Sequence, residues 1–242
     1  MADSFYSAGS QRAPRVQDLF GRIAARYDLL NDVQSLGRHR HWKRLVVRMA
    51  QPRDGERALD LCSGTGDIAF GLAKEGVRVV GLDFSPAMLQ CALARTPRLA
   101  APSPGGHLPQ FLQADAQKLP FPNELFDIIT VGYGLRNLAS WEAGLREMQR
   151  VARPGGRILI LEFGKPQNRL WRAFYLAHLK VFVPLMGWLF CGNAKAYSYI
   201  LESLTHYPGQ NAIADKMRDL GLRQVRIINL LGGAMSIHYA EK

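Results

Sequence analysis

The chain has 242 residues, which is long enough for one large domain with its own hydrophobic core. Hydrophobic residues make up 48% and charged residues 21%, proportions that exclude a disordered chain. The net charge of +11 favours anionic partners such as nucleic acid, acidic lipid headgroups or charged ligands, although an ordinary basic surface gives the same count. The three cysteines are far apart and odd in number, which argues against a disulfide framework.

The first 50 residues predict a polar lead-in followed by helices. Residues 1–18 contain no apolar stretch of the secretory kind, so we expect a cytoplasmic location. Apolar residues recur at helical spacing across residues 16–50. The second helix of this stretch carries a basic cluster: Arg38, Arg40, Lys43, Arg44 and Arg48. Its basic face is either a solvated helix surface or a contact for anionic lipid on the inner face of the cell membrane.

From Arg57 onward, short apolar runs alternate with helical patterns. The predicted strands are residues 58–62, 77–83, 110–115, 126–133 and 157–163. The predicted helices are residues 67–74, 86 to about 95, 141–151 and 210–220, with a loop at 96–109 and a turn at 153–156. This alternation predicts an α/β fold with a doubly wound, mostly parallel sheet. Residues 223–230 and 234–239 flank two glycines and predict a closing antiparallel hairpin.

Residues 170–191 form a strongly apolar stretch that contains Arg172, His178, Lys180 and Pro184. Charges in the middle of a bilayer are costly, and proline kinks or breaks a helix. We therefore predict a buried or interfacial helix pair and not a membrane span.

The most informative local pattern lies at residues 59–67, where a strand leads into a helix through Gly64-Thr65-Gly66. Glycine allows a sharp turn and a close approach of ligand to backbone, and the first turn of a helix offers free N–H groups. The segment fits the dinucleotide pattern G-x-G-x-x-A, which keeps an NAD-dependent oxidoreductase open as an alternative.

Three acids mark the carboxyl ends of three predicted neighbouring strands: Asp60, Asp83 and Asp115. Open α/β sheets bind ligands at that edge. Asp83 suits ribose hydroxyls, Asp115 suits an adenine amino group, and Asp60 favours a cationic end. S-adenosyl-L-methionine has all three features and no phosphate. The predicted cofactor-binding residues are Asp60, Gly64, Thr65, Gly66, Asp83, Phe84, Asp115, Ala116 and Gly132.

This order of acids and glycines resembles the class I S-adenosylmethionine-dependent methyltransferases. Four further blocks are similar to the ubiquinone/menaquinone biosynthesis C-methyltransferases: residues 27–43, 132–137, 150–163 and 197–208. The resemblance runs from about Val16 to the C terminus. It implies one domain over residues 1–242 with a seven-stranded Rossmann-like sheet. It also implies an N-terminal helical extension or lid at residues 1–50 and a helical insertion at 165–208 on the substrate side.

The resemblance implies C-methylation of the ring of a prenylated quinol, with no metal and no nucleic acid. Demethylmenaquinol is the expected acceptor, and the alternatives are a methoxy-polyprenyl-benzoquinol and the demethylated phylloquinone precursor. Arg136 is expected to stabilise a ring oxyanion, Asn137 to orient a hydroxyl or a water, and Tyr133 to relay a proton. Asp28 belongs to the expected lid, and Trp171 and Phe174 are among the aromatic residues expected along the prenyl tail.

Several partners stay open at this point. The basic helix allows peripheral contact with an anionic membrane surface, and contact with other quinone-biosynthesis enzymes or a homodimer is equally compatible with the sequence. A basic RNA-binding methyltransferase fits the charge, but no RNA-binding module is recognised in the chain.

Overall fold

The structure is a computed structural model that describes residues 37–99, 107–182 and 202–242, and before them the single positions Asp18, Gly21, Ala24, Asp28, Asn31, Asp32 and Ser35. Its centre is a seven-stranded sheet with the order β3-β2-β1-β4-β5-β7-β6. The strands are β1 Arg57–Leu61, β2 Arg78–Asp83, β3 Gln110–Gln113, β4 Phe126–Gly132, β5 Ala152–Phe163, β6 Arg223–Leu230 and β7 Met235–Glu241. β1 to β5 are parallel, and β7 is antiparallel to both β5 and β6. The predicted Rossmann-like sheet with a C-terminal antiparallel pair is confirmed.

Helices cover both faces of the sheet. They are α1 Arg38–Met49, α2 Asp67–Lys74, α3 Pro86–Leu99, α4 Trp141–Val151, α5 Arg169–Ala177 and α6 Gln210–Asp219. On one face, Trp42 and Val46 of α1 pack with α2 against the strands, and on the other Leu145 and Met148 of α4 pack with α6. These pairs lie four and three residues apart, the spacing that puts side chains on one helix face. β4 is buried along nearly its whole length because helices cover both of its faces.

Two predicted boundaries are wrong. β5 begins at Ala152, because the predicted turn at residues 153–156 is a bulge in the pairing of β4 with β5. The bulge is tied to the C terminus, where Gly155 N donates to Lys242 O and Lys242 N donates to Gly156 O. The loop expected from residue 96 begins later, since α3 continues to Leu99 with Pro97 in its last turn.

The apolar stretch begins as a short helix at the surface. α5 is followed by a π-helical turn, His178–Phe182, and residues 183–191 of the predicted helix pair lie outside the described residues. None of the helices in the described ranges is both long and apolar enough to cross a membrane. The division into an extension at residues 1–50 and an insertion at 165–208 stays a prediction.

Candidate active site

The glycine turn joins β1 to α2 in a conformation that only glycine adopts without strain. Gly64 has φ +56 and Gly66, which caps α2, has φ +86. A Cβ atom on Gly66 would lie 2.8 Å from Cε2 of the Phe70 ring. The turn therefore packs directly against its own helix, and its first glycine, Gly64, lines the cavities in front of it.

Asp60 lies inside β1, one residue before the strand ends, and its carboxylate is buried. Oδ2 accepts from the Ala69 N–H at 3.1 Å, and Oδ1 accepts from the Thr130 hydroxyl at 2.7 Å. Burial raises the pKa of Asp60 to about 7, although the hydrogen bonds from Thr130 and Ala69 and the charge of Lys43 lower it. The residue therefore ties β1 to α2 and β4, and a cation beside it would favour its charged form.

Asp83 and Asp115 face a common cleft at the carboxyl ends of the strands. Asp83 accepts from Gly64 N and from Ser85 N, both at 2.8 Å, and burial raises its pKa. Asp115 accepts from Gln117 N at 2.8 Å. The other predicted cofactor residues that line this cleft are Gly64, Phe84, Ala116 and Gly132. Asp60 and Thr65 instead line a smaller cavity in front of the glycine turn, which Gly64 and Gly132 also line.

An ion-pair cluster beside the turn was not predicted from the sequence. Lys43 Nζ donates to Asp67 Oδ2 at 2.8 Å, and Arg95 donates to Asp67 Oδ1 at 2.6 Å. Although burial alone would raise the pKa of Asp67, Lys43 and Arg95 hold it well below its usual range. The Thr65 hydroxyl donates to Asp28 at 2.9 Å, so a residue of the expected lid contacts the glycine turn. Lys43 and Asp67 also line the smaller cavity, which therefore holds charges of both signs.

Arg136 is buried behind the cleft, in the short 3-10 turn Leu135–Asn137. Its NH1 donates to Glu162 at 2.6 Å and to the Tyr133 carbonyl at 2.7 Å. Its guanidinium carbon lies 4.6 Å from the centroid of the Phe163 ring. Glu162, which was not predicted as a site residue, is fully buried in β5; its sequence signals are an acid within the apolar run Leu161–Phe163 and its place in the block 150–163 that resembles the family. The guanidinium charge is therefore balanced within the protein.

Asn137 and Tyr133 also line the cleft. Asn137 Nδ2 donates to the Tyr133 carbonyl at 3.3 Å, whereas Oδ1 is buried and has no hydrogen-bond partner among the described atoms. Tyr133 is held in the left-handed region at φ +63, and so is Cys62 at φ +52, at the ends of β4 and β1. Strained non-glycine residues cluster at functional sites, and both of these border the cleft.

The comparisons with known proteins agree with this site. The ubiE/COQ5 methyltransferase family matches residues 7–242. The chain belongs to this family. It is 40% identical over 236 residues to a protein of Azotobacter vinelandii named ubiquinone/menaquinone biosynthesis C-methyltransferase UbiE, covering 96% of this chain and 92% of that protein. It is 41% identical over 236 residues to the protein of the same name in Ectopseudomonas mendocina, covering 96% and 91%.

Solved structures support the fold. A methyltransferase dependent on S-adenosylmethionine from Thermotoga maritima matches with a TM-score of 0.66 at 16% identity, over 93% of this chain and 99% of that one. A phosphoethanolamine N-methyltransferase of Haemonchus contortus, solved with S-adenosylhomocysteine, matches with a TM-score of 0.63 at 15% identity, over 84% and 52%.

S-adenosylmethionine is the cofactor of this methyltransferase, and the described residues fit it. The Gly64 N–H, which could otherwise face a phosphate, donates to Asp83, and a second acid lines the same cleft. These acids suit the hydroxyl and amino groups of a nucleoside, and the cofactor needs no phosphate site. The NAD-dependent oxidoreductase alternative therefore finds no support in the site or in the comparisons. In the described part of the chain, no group of three metal-ligating side chains could hold a metal ion.

Proposed function

We propose that this family member methylates a ring carbon of a prenylated quinol in menaquinone biosynthesis, converting demethylmenaquinol to menaquinol. Membership of the ubiE/COQ5 family supports a quinone acceptor, and the names of its relatives cover both ubiquinone and menaquinone. The methoxy-polyprenyl-benzoquinol of the ubiquinone route and the demethylated phylloquinone precursor remain the alternatives. The observation that carries the acceptor site is the buried Asn137 Oδ1, an acceptor at the cleft wall with no partner among the described residues.

The acceptor must be the reduced quinol, because a ring carbon becomes nucleophilic only when an adjacent hydroxyl ionises. A phenol-like hydroxyl has a pKa near 10, so the protein must favour the oxyanion at neutral pH. The cofactor would supply an electrophilic methyl group, which is bonded to its positively charged sulfonium sulfur. The ring carbon would take this methyl group as the sulfur–carbon bond breaks and would then lose its own proton, which restores the aromatic ring.

The proposed roles on the acceptor side follow from the contacts around the Tyr133 carbonyl. Asn137 Oδ1 accepts a hydrogen bond from the ring hydroxyl, in a position fixed by the bond from Nδ2 to that carbonyl. Arg136 stabilises the ring oxyanion by its charge, and Tyr133 relays the proton. Because Glu162 balances the charge of Arg136, the electric field of Arg136 at the ring is weaker than that of an isolated guanidinium.

The proposed roles on the cofactor side follow from the two cavities. Asp83 accepts from the ribose hydroxyls, and Asp115 lies beside the adenine amino group. Asp60 attracts the cationic amino-acid end, and Lys43, on the same small cavity, faces the carboxylate of that end. A lysine and an acid on one small cavity match an amino acid, which carries both charges.

Methyl transfer from labelled S-adenosylmethionine to three chemically reduced acceptors, assayed side by side, tests the proposal. The acceptors are demethylmenaquinol, the methoxy-polyprenyl-benzoquinol and the demethylated phylloquinone precursor. We expect the highest kcat/KM with demethylmenaquinol and no transfer to any acceptor in its oxidised form. Higher kcat/KM with the benzoquinol would move the assignment to the ubiquinone route, and transfer to the oxidised rings would contradict the quinol mechanism.

Two variants of Asn137 test whether this residue positions the acceptor or only contributes to packing. We expect Asn137→Ala to lower kcat while leaving the dissociation constant of S-adenosylhomocysteine unchanged. Asn137→Asp, which keeps an acceptor oxygen, should retain more activity and make kcat depend on pH through the added carboxyl group. Equal losses in both variants with a flat pH profile would contradict the role.

A further inference from the structure

α5 differs from the other described helices because none of its residues is buried. α1, α2, α4 and α6 each bury several side chains against the sheet. In and directly after α5, the exposed fractions of Leu170, Phe174 and Val181 are 84%, 62% and 65%. Leu170 and Phe174 are four residues apart and so share one side of α5, and Val181 lies in the π-helical turn that follows it. Such contiguous apolar exposure marks an interaction surface.

Specific contacts nevertheless hold α5 against the body of the protein. Asn168 caps the helix by accepting from Trp171 N at 3.0 Å, and the Trp171 indole donates to the Leu231 carbonyl at 2.8 Å. The Tyr175 hydroxyl donates to the Ala234 carbonyl at 3.2 Å. The Trp171 and Phe174 rings stack at 5.4 Å between centroids. Anchored on its inner side, the helix presents its outer apolar side chains in a fixed orientation, next to the exposed Leu231.

The charge around this surface has one sign. The sequence contains no aspartate or glutamate between Glu162 and Glu202, but it contains five basic residues there: Lys165, Arg169, Arg172, Lys180 and Lys195. Arg169, Arg172 and Lys180 are exposed on α5 and its π-helical turn. Apolar side chains bordered by arginine and lysine are typical of helices that lie in the interface of an anionic bilayer.

The surface lies at the same edge of the sheet as the cleft, because β5 is parallel to β4 and α5 follows its carboxyl end. α5 follows β5 at the strand end that carries Glu162, and the Ala234 carbonyl accepts from both Tyr175 and Gly164 N. The basic helix α1 lacks an apolar outer face. Its Trp42, Val46 and Val47 are buried, and the side chains it exposes are Arg38, Arg40, His41, Arg44 and Arg48.

We propose that α5, its π-helical turn and Leu231 form the docking surface of this protein for an anionic lipid bilayer. Leu170, Phe174 and Val181 insert among the acyl chains, and the flanking basic residues contact the lipid phosphates. The inference rests on the proposed function, because a prenylated quinol resides in a membrane and must enter the cleft from it. α1 adds only long-range attraction.

Flotation of the full chain with vesicles tests this surface. The vesicles contain phosphatidylglycerol and phosphatidylcholine in equal amounts, and pure phosphatidylcholine vesicles are the comparison. We expect binding to the anionic vesicles that weakens in 0.5 M salt, and little binding to the neutral ones. Leu170→Gln/Val181→Gln should reduce binding at least about tenfold, because two exposed apolar side chains no longer insert. The matched control, Arg44→Gln/Arg48→Gln on α1, should reduce binding less than the α5 variant does.

Two further measurements keep docking separate from folding and from catalysis. Leu170 and Val181 are exposed, so the unfolding temperature of the α5 variant should equal that of the wild type. Turnover of a short-chain quinol dissolved in water should also be unchanged. Unaltered vesicle binding by the α5 variant, or a larger loss in the α1 variant, would overturn the proposal. Failure of the wild type to methylate any quinol would instead contradict the proposed function.

Discussion

The cofactor side and the acceptor side of the cleft each contain a buried carboxylate, and the two are held in opposite ways. Asp60 on β1 accepts only from neutral donors, and its pKa rises to about 7. Glu162 on β5 accepts from the guanidinium of Arg136. The cofactor side therefore leaves a place for a cation that the ligand brings, whereas the acceptor side is charge-balanced before any ligand binds. Under the proposed function, the first region selects its ligand by charge, and the second positions the acceptor.

The largest effect is expected from a substitution that breaks the buried ion pair of Arg136 and Glu162. Glu162→Gln removes the counterion of a buried guanidinium, and removal of one partner from a buried pair costs about 3–5 kcal/mol. We expect a loss of this size in the free energy of unfolding, measured with urea at pH 7.

The control is the double variant Arg136→Met/Glu162→Leu, which removes both charges and should recover most of that stability. If Glu162→Gln lost less than about 1 kcal/mol, the pair would not be the structural centre of the acceptor side.

The second largest effect is expected on cofactor binding, from the loss of the lysine proposed to face the carboxylate of the cofactor. Lys43→Met should weaken S-adenosylhomocysteine binding about ten- to a hundredfold in calorimetry, because a charge-assisted hydrogen bond contributes roughly 1.5–3 kcal/mol. Binding of 5′-methylthioadenosine, which lacks the amino-acid end, should change little. Arg44→Gln is the matched control, since Arg44 is an exposed basic residue of the same helix and does not line the small cavity. Equal weakening of both ligands by Lys43→Met would contradict the assignment.

A smaller effect tests the backbone of the glycine turn. Gly66→Ala and Gly55→Ala both place a side chain at positive φ, which costs roughly 1–2 kcal/mol. Gly55 has open space around its Cβ position, whereas Gly66 would contact the Phe70 ring. We therefore expect Gly66→Ala to lose about 1–3 kcal/mol more in thermal unfolding and to bind the cofactor more weakly. Equal losses of stability in the two variants would show that backbone strain alone, and not contact with the Phe70 ring, determines the effect.

Local patterns predicted the sheet well and brought two of the acids to one cleft, because both outcomes depend on short-range signals. Strand periodicity placed β1 to β4 within one or two residues of their observed bounds, and the acids at Asp83 and Asp115 reach one cleft because parallel strands end at a common edge. The bulge at residues 153–156 could not be predicted, since its hydrogen-bond partner is the C-terminal Lys242.

Two ion pairs at the site could not be predicted from the sequence, because their partners are far apart along the chain. Lys43 is 24 residues from Asp67, and Arg136 is 26 residues from Glu162, so no local spacing signals either pair. In the sequence, Lys43 was one basic residue of a basic helix and the last residue of the block 27–43 that resembles the family. Its burial against Asp67 comes from the packing of α1 on α2 and distinguishes it from the exposed Arg44 and Arg48.

The smallest expected effect is the pH dependence of cofactor binding. The folded-state pKa of Asp60, about 7, lies above its ordinary value of 3.8, so the carboxyl keeps its proton in the folded protein at pH values where the unfolded chain has lost it. Its contribution to stability is therefore complete below about pH 4 and is lost as the pH rises through 7. A cation bound beside Asp60 favours the ionised form, so binding should release a proton near pH 7.

S-adenosylmethionine affinity should accordingly rise by up to about tenfold between pH 6 and pH 8, and calorimetry in buffers of different ionisation enthalpy should report the released proton. Asp60→Asn can keep contacts to Ala69 and Thr130 but cannot ionise, so it should bind more weakly at pH 8 and lose the pH dependence. The same slope in Asp60→Asn would mean that another group titrates and that the cofactor's cation lies elsewhere. A flat affinity in the wild type, with no proton released, would mean that Asp60 stays protonated in the complex and that charge selection on the cofactor side depends on other residues.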